Sequence, residues 1–569
     1  MLKFKLLADQ KHFKLEEYSL NMEKTSLFSW FKKKSKDAEF NILVTRKIWD
    51  GMDHFITKEG VISIELWKEI LNFSKKTGIE VDVEGIDRMM DGSLDKESYT
   101  QFVDSLFKGV LTDKGEPLYP RDYQLEGAFR ALKYQFCCQE LATSAGKTAI
   151  FYTFNSYLKH IGVINSQHKA LMIVPNVSLV NQTVKAFEQY SNGLVKWKIH
   201  SVGGDNDFNL KEFLDCDMLI TTYQSLINLV PECLDKKLET LIKKRVKKDE
   251  ADDRDAKKAK LIEKINEIKK INLPSYFKVL NIDEAHKSRG GSISDIIAAC
   301  KNWSYKLGLS GTMKLNEKYS DFFKMQQNVG PLVMTLDAKF LIDNDYSPNI
   351  KIKQIFLEYD ESGEKISEYV KIQRDPDLKD RVKAQFKDPK NYGIHMLGIE
   401  KSIIFDSEER IKFISRFVKK LGKNTLILFS DIENGYGSRI CDTIRFWNDH
   451  TYYIDGSIKN SDREIYKDTM ESVDGSVIVA SYGTFATGID LKNVHHIIFA
   501  ESTKAEITIR QAIGRGMRYL KGKEEVIIWD IIDDLSGYSV RHGSERMKIY
   551  KEQKFKILPE TRINLSSIN

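Results

Sequence analysis

The run Leu141-Ala-Thr-Ser-Ala-Gly-Lys-Thr148 has the ingredients of a phosphate-binding loop and leads into a helix-forming stretch, Ala149-Ile-Phe-Tyr152. Such a loop turns backbone N–H groups toward an anion at a helix N-terminus, where the helix dipole favours negative charge. In this run Gly146 lets the backbone approach the phosphates and Lys147 reaches the β- and γ-phosphates. Thr148 supplies a hydroxyl to Mg²⁺, and Thr143, Ser144 and Ala145 complete the cradle. The strict pattern asks for glycine at its first position, where this chain has Leu141, so the loop alone does not decide the matter.

A second candidate is Ile282-Asp-Glu-Ala-His286, at the end of an apolar run. Adjacent carboxylates at a strand end carry a desolvation cost unless a cation or a reactant uses them. Asp283 would hold Mg²⁺ through a water, Glu284 would polarise an attacking water as general base, and His286 would couple the site to its surroundings. A helix N-terminus rich in acids is the plainer reading, and it accounts for either carboxylate but not for their order after a phosphate loop. Ser310-Gly-Thr312 follows another buried run. Its hydroxyls fit either a relay to a binding face or ordinary helix caps.

The third candidate is Gln511-Ala-Ile-Gly-Arg-Gly-Met-Arg518. Arg515 and Arg518 are spaced to share one helix face, where they would be surface charges or, across a cleft, would stabilise charge on a transferring phosphoryl group.

These groups need strand ends to hold them, and the apolar runs supply such ends. Buried strands are expected at 170–174, 218–222, 277–282 and 305–309, and a second series at 425–429, 476–480, 495–500 and 525–529. Strands alternating with helices in two series predict an α/β chain with two tandem parallel-sheet lobes. The expected divisions are a small α+β N-terminal domain (1–112), a nucleotide-binding lobe (113–335), a second lobe (336–540) and a basic C-terminal tail (541–569). In the first portion, residues 2–7 and 40–44 read as strands and 64–73 as helix. Within the first lobe, residues 235–270 read as a charged helical hairpin turning at 249–255. It is either a solvated arm or a nucleic-acid-touching one, and the tail carries the same two readings.

At 569 residues, 41% hydrophobic and 30% charged, the chain has the composition of a globular protein of several domains. A net charge of +6 permits a polyanionic partner without requiring one. The six cysteines form no Cys-x-x-Cys pair, so free buried thiols are expected and not a zinc site. No apolar run reaches membrane-span length, and a cytoplasmic protein with no membrane partner is expected.

Taken in order, the phosphate loop, Asp283 to His286, Ser310 to Thr312, Gly488 with Asp490, and Gln511 to Arg518 resemble the motif set of superfamily 2 helicases and translocases, over residues 117–534. The resemblance implies two RecA-like lobes that use ATP and Mg²⁺. It also implies adenine contact from Arg121 and Gln124, and nucleotide contact from Gly488 and Asp490. Gln511, Arg515 and Arg518 would then serve hydrolysis. Pro175, Asn176, Gln182, Thr222, Gln224, Ser430, Ser481 and Thr484 match positions that hold a nucleic-acid backbone. Departures at Leu141 and Ser144 bear on the fine geometry of the loop.

Within the superfamily, 142–148, 309–313, 480–498 and 529–534 resemble the recombination-repair DNA helicases of bacteriophages, as does a short segment at 48–51. That likeness implies fork regression, Holliday-junction branch migration, and D-loop or R-loop unwinding by a monomer on branched or partly single-stranded DNA. It also implies recombination or single-strand-binding proteins as further partners, and a nucleic-acid-binding N-terminal domain. An RNA helicase and the motor subunit of a restriction or defence complex stay open as alternatives. A clamp that only binds ATP is the reading from a different class.

Overall fold

The apolar runs become strands because their β-branched and aliphatic side chains are buried on both faces, as parallel sheets require. The computed structural model describes all 569 residues except 37, 113–114, 192, 205, 244–250, 314–316, 318, 387, 487–490 and 568–569. The chain divides into two units, one of Met1–Leu141 with Gly146–Leu336, the other of Ala142–Ala145 with Asp337–Asn569. No helix among the described residues is long and apolar enough to cross a membrane.

The first unit opens with a four-stranded sheet made of β1 (Leu2–Leu6), β2 (His12–Tyr18), β5 (Val61–Ser63) and β6 (Val81–Glu84), in the order β5-β2-β1-β6. A separate ribbon pairs β3 (Lys32–Lys34) with β4 (Met52–His54). The expected strand at 40–44 is instead a helical turn, Ile42–Thr45. Asn41 Oδ1 accepts the Leu43 N–H at 2.9 Å as an N-cap, and Phe40, Ile42 and Leu43 are exposed.

Phe4, Phe13, Ile70 and Phe73 share one apolar core with Leu171, Leu280 and Ile282 of the neighbouring parallel sheet. Two ion pairs pin the N-terminal region to that sheet's surroundings. Lys306 meets Glu65 at 2.6 Å, both nearly buried, and Lys324 meets Asp53 at 2.7 Å.

That parallel sheet contains β7 (Phe136–Leu141), β8 (Lys169–Val174), β9 (Ile199–Val202), β10 (Met218–Thr222), β11 (Phe277–Asp283), β12 (Tyr305–Ser310) and β13 (Leu332–Leu336). Their order is β13-β7-β12-β11-β8-β10-β9. The charged block forms two helices, Pro231–Lys243 and Ala251–Ile271, whose Leu234, Ile265 and Ile268 make a small core with Leu238 and Leu261. The expected turn at 249–255 falls partly outside the described residues, and Ala251 onward is already helix.

The second unit's sheet comprises β14 (Asn349–Glu358), β15 (Thr425–Phe429), β16 (Thr451–Ile454), β17 (Val477–Ser481), β18 (His496–Phe499), β19 (Glu525–Asp534) and β20 (Lys556–Ile557). Its order is β16-β17-β15-β18-β19-β14-β20, with β21 (Thr561–Asn564) also on β14. Residues 541–569 are therefore not a separate tail. The helix Tyr538–Glu552 buries Arg546, Ile549 and Tyr550, and both final strands run parallel to β14. The basic appearance of this segment misleads because Arg546 is sealed against Asp530 at 2.7 Å, with both side chains fully buried.

Candidate functional site

Strand order in the first unit brings three motifs together. β12 lies between β7 and β11, so the phosphate loop, Ser310 and the Asp283–Glu284 pair leave neighbouring strands at the same edge. The register sets Ser310 opposite Glu140 and Leu309 opposite Asp283. Crevices at the carboxyl ends of parallel strands, where the connections diverge, are where α/β proteins bind ligands.

The loop's backbone is bent for this purpose. Ser144 (φ +73°) and Gly146 (φ +72°) take left-handed conformations, and Gly146 caps the helix Lys147–His160. A Cβ on Gly146 would lie 2.2 Å from Gln124 Nε2, so glycine is what allows this close approach. Gln124 Oε1 also accepts the Arg121 N–H at 2.8 Å, and the Arg121 guanidinium donates to the Tyr123 hydroxyl at 3.2 Å. The two residues expected at adenine thus stand beside the phosphate loop. Behind the site, Asn155 and Asn281 exchange amide hydrogen bonds of 3.0 Å, tying the loop's helix to β11.

Lys147 Nζ lies 3.2 Å from Glu284 Oε1 and 3.6 Å from Asp283 Oδ1. Glu284 itself is left-handed (φ +54°), a sparsely populated state for a residue with a side chain and one that recurs at functional sites. Gly308 makes room for the turn that follows, since a Cβ there would sit 2.7 Å from Ala285 Cβ. The Ser310 hydroxyl donates to Glu284 Oε2 at 2.8 Å. His286 Nδ1 lies 2.7 Å from Ser310 Oγ, 3.2 Å from Thr312 Oγ1 and 3.3 Å from Glu284 Oε2. One connected chain therefore runs from Lys147 through Glu284 to Ser310, His286 and Thr312.

The two adjacent carboxylates are driven apart in acidity. Burial would raise both, but Lys147, His286 and Ser310 hold Glu284 well below the usual carboxylate range. Asp283 is raised, by burial first and by the neighbouring Glu284 charge, with Lys147 opposing. The oxygens of Thr148 and Asp283 are hard donors of the kind Mg²⁺ takes alongside phosphate oxygens. Among the described residues there is no cluster of three or more acidic, His or Cys side chains able to hold a metal alone.

Pro175 and Asn176 follow β8, Thr222 ends β10, and these strands are neighbours. Asn176 Oδ1 accepts the Leu179 N–H at 3.0 Å and Thr222 Oγ1 accepts the Ser225 N–H at 3.3 Å, so both cap helices. Gln182 sits in the helix Val177–Tyr190, within 3.4 Å of Ser178 Oγ, and Gln224 is exposed.

In the second unit, Ser430 and Ser481 stand at the ends of adjacent strands β15 and β17. The Ser481 hydroxyl donates to Thr484 Oγ1 at 2.9 Å and accepts the Thr484 N–H at 3.3 Å. The backbone N–H groups of Ser430 and Asp431 both donate to Glu501 Oε2, at 2.7 and 2.8 Å, while Lys401 pairs with Glu501 Oε1 at 2.8 Å. Nothing in the sequence singled out Glu501, because its partners are remote along the chain. Gly488 and Asp490 lie outside the described residues.

Gln511 and Arg515 sit in the helix Glu506–Gly516, and Arg515 is 9% exposed. The shared helix face expected for the two arginines is not formed, because the helix ends at Gly516 and Arg518 lies beyond its Met517 cap. Glycines at 514 and 516 weaken the last turn, and the Arg518 N–H closes it by donating to Arg515 O at 3.5 Å.

Comparison with known proteins agrees with this arrangement. Residues 118–315 match the model of the type III restriction enzyme res subunit, and 409–520 match the helicase conserved C-terminal domain. The ATP-dependent DNA helicase UvsW of Enterobacteria phage T4 is 24% identical over 538 residues, covering 91% of each chain. The probable helicase D10 of Escherichia phage T5 is 23% identical over 305 residues, 52% of this chain and 58% of that one. Among solved structures, T4 UvsW aligns over 99% of both chains at 23% identity with a TM-score of 0.44. The DNA-bound type ISP restriction-modification enzyme LlaBIII aligns over 87% of this chain and 34% of its own at 14% identity, with a TM-score of 0.50. Two parallel sheets whose strand ends carry these motifs in this order, with both helicase-domain models matched, make the chain a superfamily 2 helicase, an ATP-dependent hydrolase.

Proposed function

We propose that this helicase is a DNA motor that remodels branched DNA, by fork regression, junction branch migration or the unwinding of D-loops and R-loops. The observation that carries the motor is the unbroken chain of contacts from Lys147 through Glu284 and Ser310 to His286 and Thr312. Any change at Lys147 when it turns from the carboxylates to a phosphate alters what Glu284 asks of Ser310 and His286. In this reading Glu284, held ionised, takes a proton from the attacking water, and Lys147 and the loop N–H groups neutralise the phosphates. Thr148 and Asp283 would hold Mg²⁺, which supplies charge neutralisation at the phosphates. Arg515 and Arg518, with Gln511, serve the same phosphates during the cycle, and Gly488 and Asp490 contact the nucleotide.

Pro175, Asn176, Gln182, Thr222 and Gln224 in one sheet, with Ser430, Ser481 and Thr484 in the other, grip the sugar-phosphate backbone with little sequence preference. Several of their side-chain oxygens already accept helix-capping N–H groups, so donation to phosphate oxygens falls to their hydroxyl and amide hydrogens and to the loop N–H groups. Likeness to UvsW along 91% of both chains supports DNA, and branched DNA in particular, as the substrate. The match to a restriction-enzyme res subunit favours a second reading, a motor that serves a nuclease partner.

The test is the ATPase rate of wild type and Glu284→Gln with single-stranded DNA, linear duplex, a four-way junction and RNA at one salt concentration. Strongest stimulation by the junction supports the proposal. Stimulation by RNA alone would overturn the substrate, and stimulation only with an added nuclease partner would favour the second reading.

A further inference from the structure

The helix that carries Arg515 ends in carbonyl groups with no partner inside the helix, as every helix does. Two side chains of the same unit meet that end. The Ser347 hydroxyl, buried, donates to Met517 O at 3.1 Å, and the Lys523 ammonium donates to Gly516 O at 3.1 Å. Lys523 is only 6% exposed, an unusual burial for an ammonium. It donates at 2.6 Å to a second carbonyl, Lys492 O, two residues beyond Asp490. A left-handed Gly522 (φ +86°) lets the chain reverse, with the Lys523 N–H bonded to Leu520 O at 3.0 Å, so the side chain returns beneath the helix it follows. Gly516 must be small for the same packing, since a Cβ would lie 3.0 Å from Ile497 Cδ1.

We propose that Lys523 is a positioning residue for hydrolysis. Its charge fixes the end of the arginine helix and ties it to the segment that follows Gly488 and Asp490. This rests on the reading that Arg515 or Arg518 stabilises charge on the transferring phosphoryl group. A cation at a helix C-terminus is favoured by the dipole, and away from water that attraction is weakly screened. Hydrogen bonds to two carbonyls, one at the helix end and one in the segment at Lys492, then hold both to one distance. Arginine side chains must meet their phosphate within a few tenths of an ångström to be effective, so slack at Gly516 is transmitted to Arg515, one residue away, and Arg518, two residues away.

The experiment compares Lys523→Met, Lys523→Arg, Arg515→Ala, Arg518→Ala and the double variant Arg515→Ala/Lys523→Met in DNA-stimulated ATP hydrolysis, with thermal unfolding of each. Lys523→Met is expected to lower kcat about tenfold or more while KM for ATP and DNA affinity stay within about twofold. Lys523→Arg should recover most of the rate, and the double variant should be no slower than Arg515→Ala alone, as for residues acting through one group. Wild-type kcat in Lys523→Met, or losses that multiply in the double variant, would overturn the proposal. Wild-type kcat in both single arginine variants would overturn the reading beneath it instead. If Lys523→Met does not fold, Lys523→Gln, which keeps N–H donors but removes the charge, takes its place: a tenfold loss of kcat supports the proposal and a wild-type kcat overturns it.

Discussion

Two charge clusters in this molecule are built from similar residues and differ in one physical respect. Lys147, Asp283 and Glu284 keep 16%, 18% and 19% of their side chains exposed, and their contacts continue into hydroxyl groups. Arg410 with Asp533, and Arg546 with Asp530, are sealed at 0–1% exposure. Around the first sealed pair, Asp533 accepts two guanidinium bonds at 2.6 and 3.0 Å and the Tyr359 hydroxyl at 2.7 Å, and Arg410 also reaches Ala500 O at 2.8 Å. Buried charges persist only when paired and hydrogen-bonded, and a pair so completely satisfied has nothing left for a ligand. The open cluster has partners that a phosphate can replace. Charge burial thus separates the charges proposed to act on a nucleotide from those that hold the sheet together.

Breaking the open cluster should cost activity and spare the fold. Glu284→Gln is expected to lower kcat about a thousandfold, the scale of general-base loss, with ATP binding and unfolding temperature unchanged. Breaking the sealed cluster should do the reverse. Arg410→Met strands the Asp533 carboxylate and is expected to destabilise the second unit by about 3–5 kcal/mol, read by denaturant unfolding. An unfolding midpoint equal to wild type would remove the distinction drawn between the clusters.

Ser310→Ala sharpens the comparison, because it removes the hydroxyl that bridges Glu284 to His286 and Thr312 and leaves only the direct 3.3 Å approach of His286 to Glu284. ATP hydrolysis should fall by about tenfold at most, while strand displacement per ATP falls further. An equal loss in both assays would reduce Ser310 to support for Glu284.

The smallest effect concerns pH. His496, which accepts from the Trp529 indole at 3.2 Å, is pushed down to about 4, by burial first and then by nearby positive charge. The unfolded chain, with an ordinary histidine near 6.5, binds the extra proton first as pH falls. Stability of the second unit should therefore decline between about pH 6.5 and 4, and His496→Gln should flatten that slope in thermal melts. A slope unchanged by the substitution would assign it to other groups, among them His542, also pushed down to about 4 by burial.

The strand runs read from the sequence match β8, β10, β11, β12, β15, β17, β18 and β19 to within a residue or so, except that β19 extends to Asp534. Long apolar runs declare themselves because burial on both sheet faces leaves little freedom of residue type. The placement of Gly146, Lys147 and the Asp283–Glu284 pair at strand ends is legible for the same reason, since residue type and the preceding apolar run suffice to locate them. Basic composition misled at 541–569, and a weak apolar run misled at 40–44, because exposure and pairing are properties of neighbours.

By itself the sequence determined the class of protein, the order of its motifs and the residues proposed to meet a nucleotide. Only the tertiary structure decided which charges are sealed and which remain open. It placed β12 between the strands that lead into the 142–148 loop and the Asp283–Glu284 pair, so that Ser310 and His286 meet Glu284. It also folded Lys523 back under the arginine helix. The cluster at Glu284 joins residues far apart in the chain, and Lys523, only 7 residues from Gly516, is also held by Lys492 O, 31 residues away; such contacts are set by sheet order and packing, which no local pattern encodes.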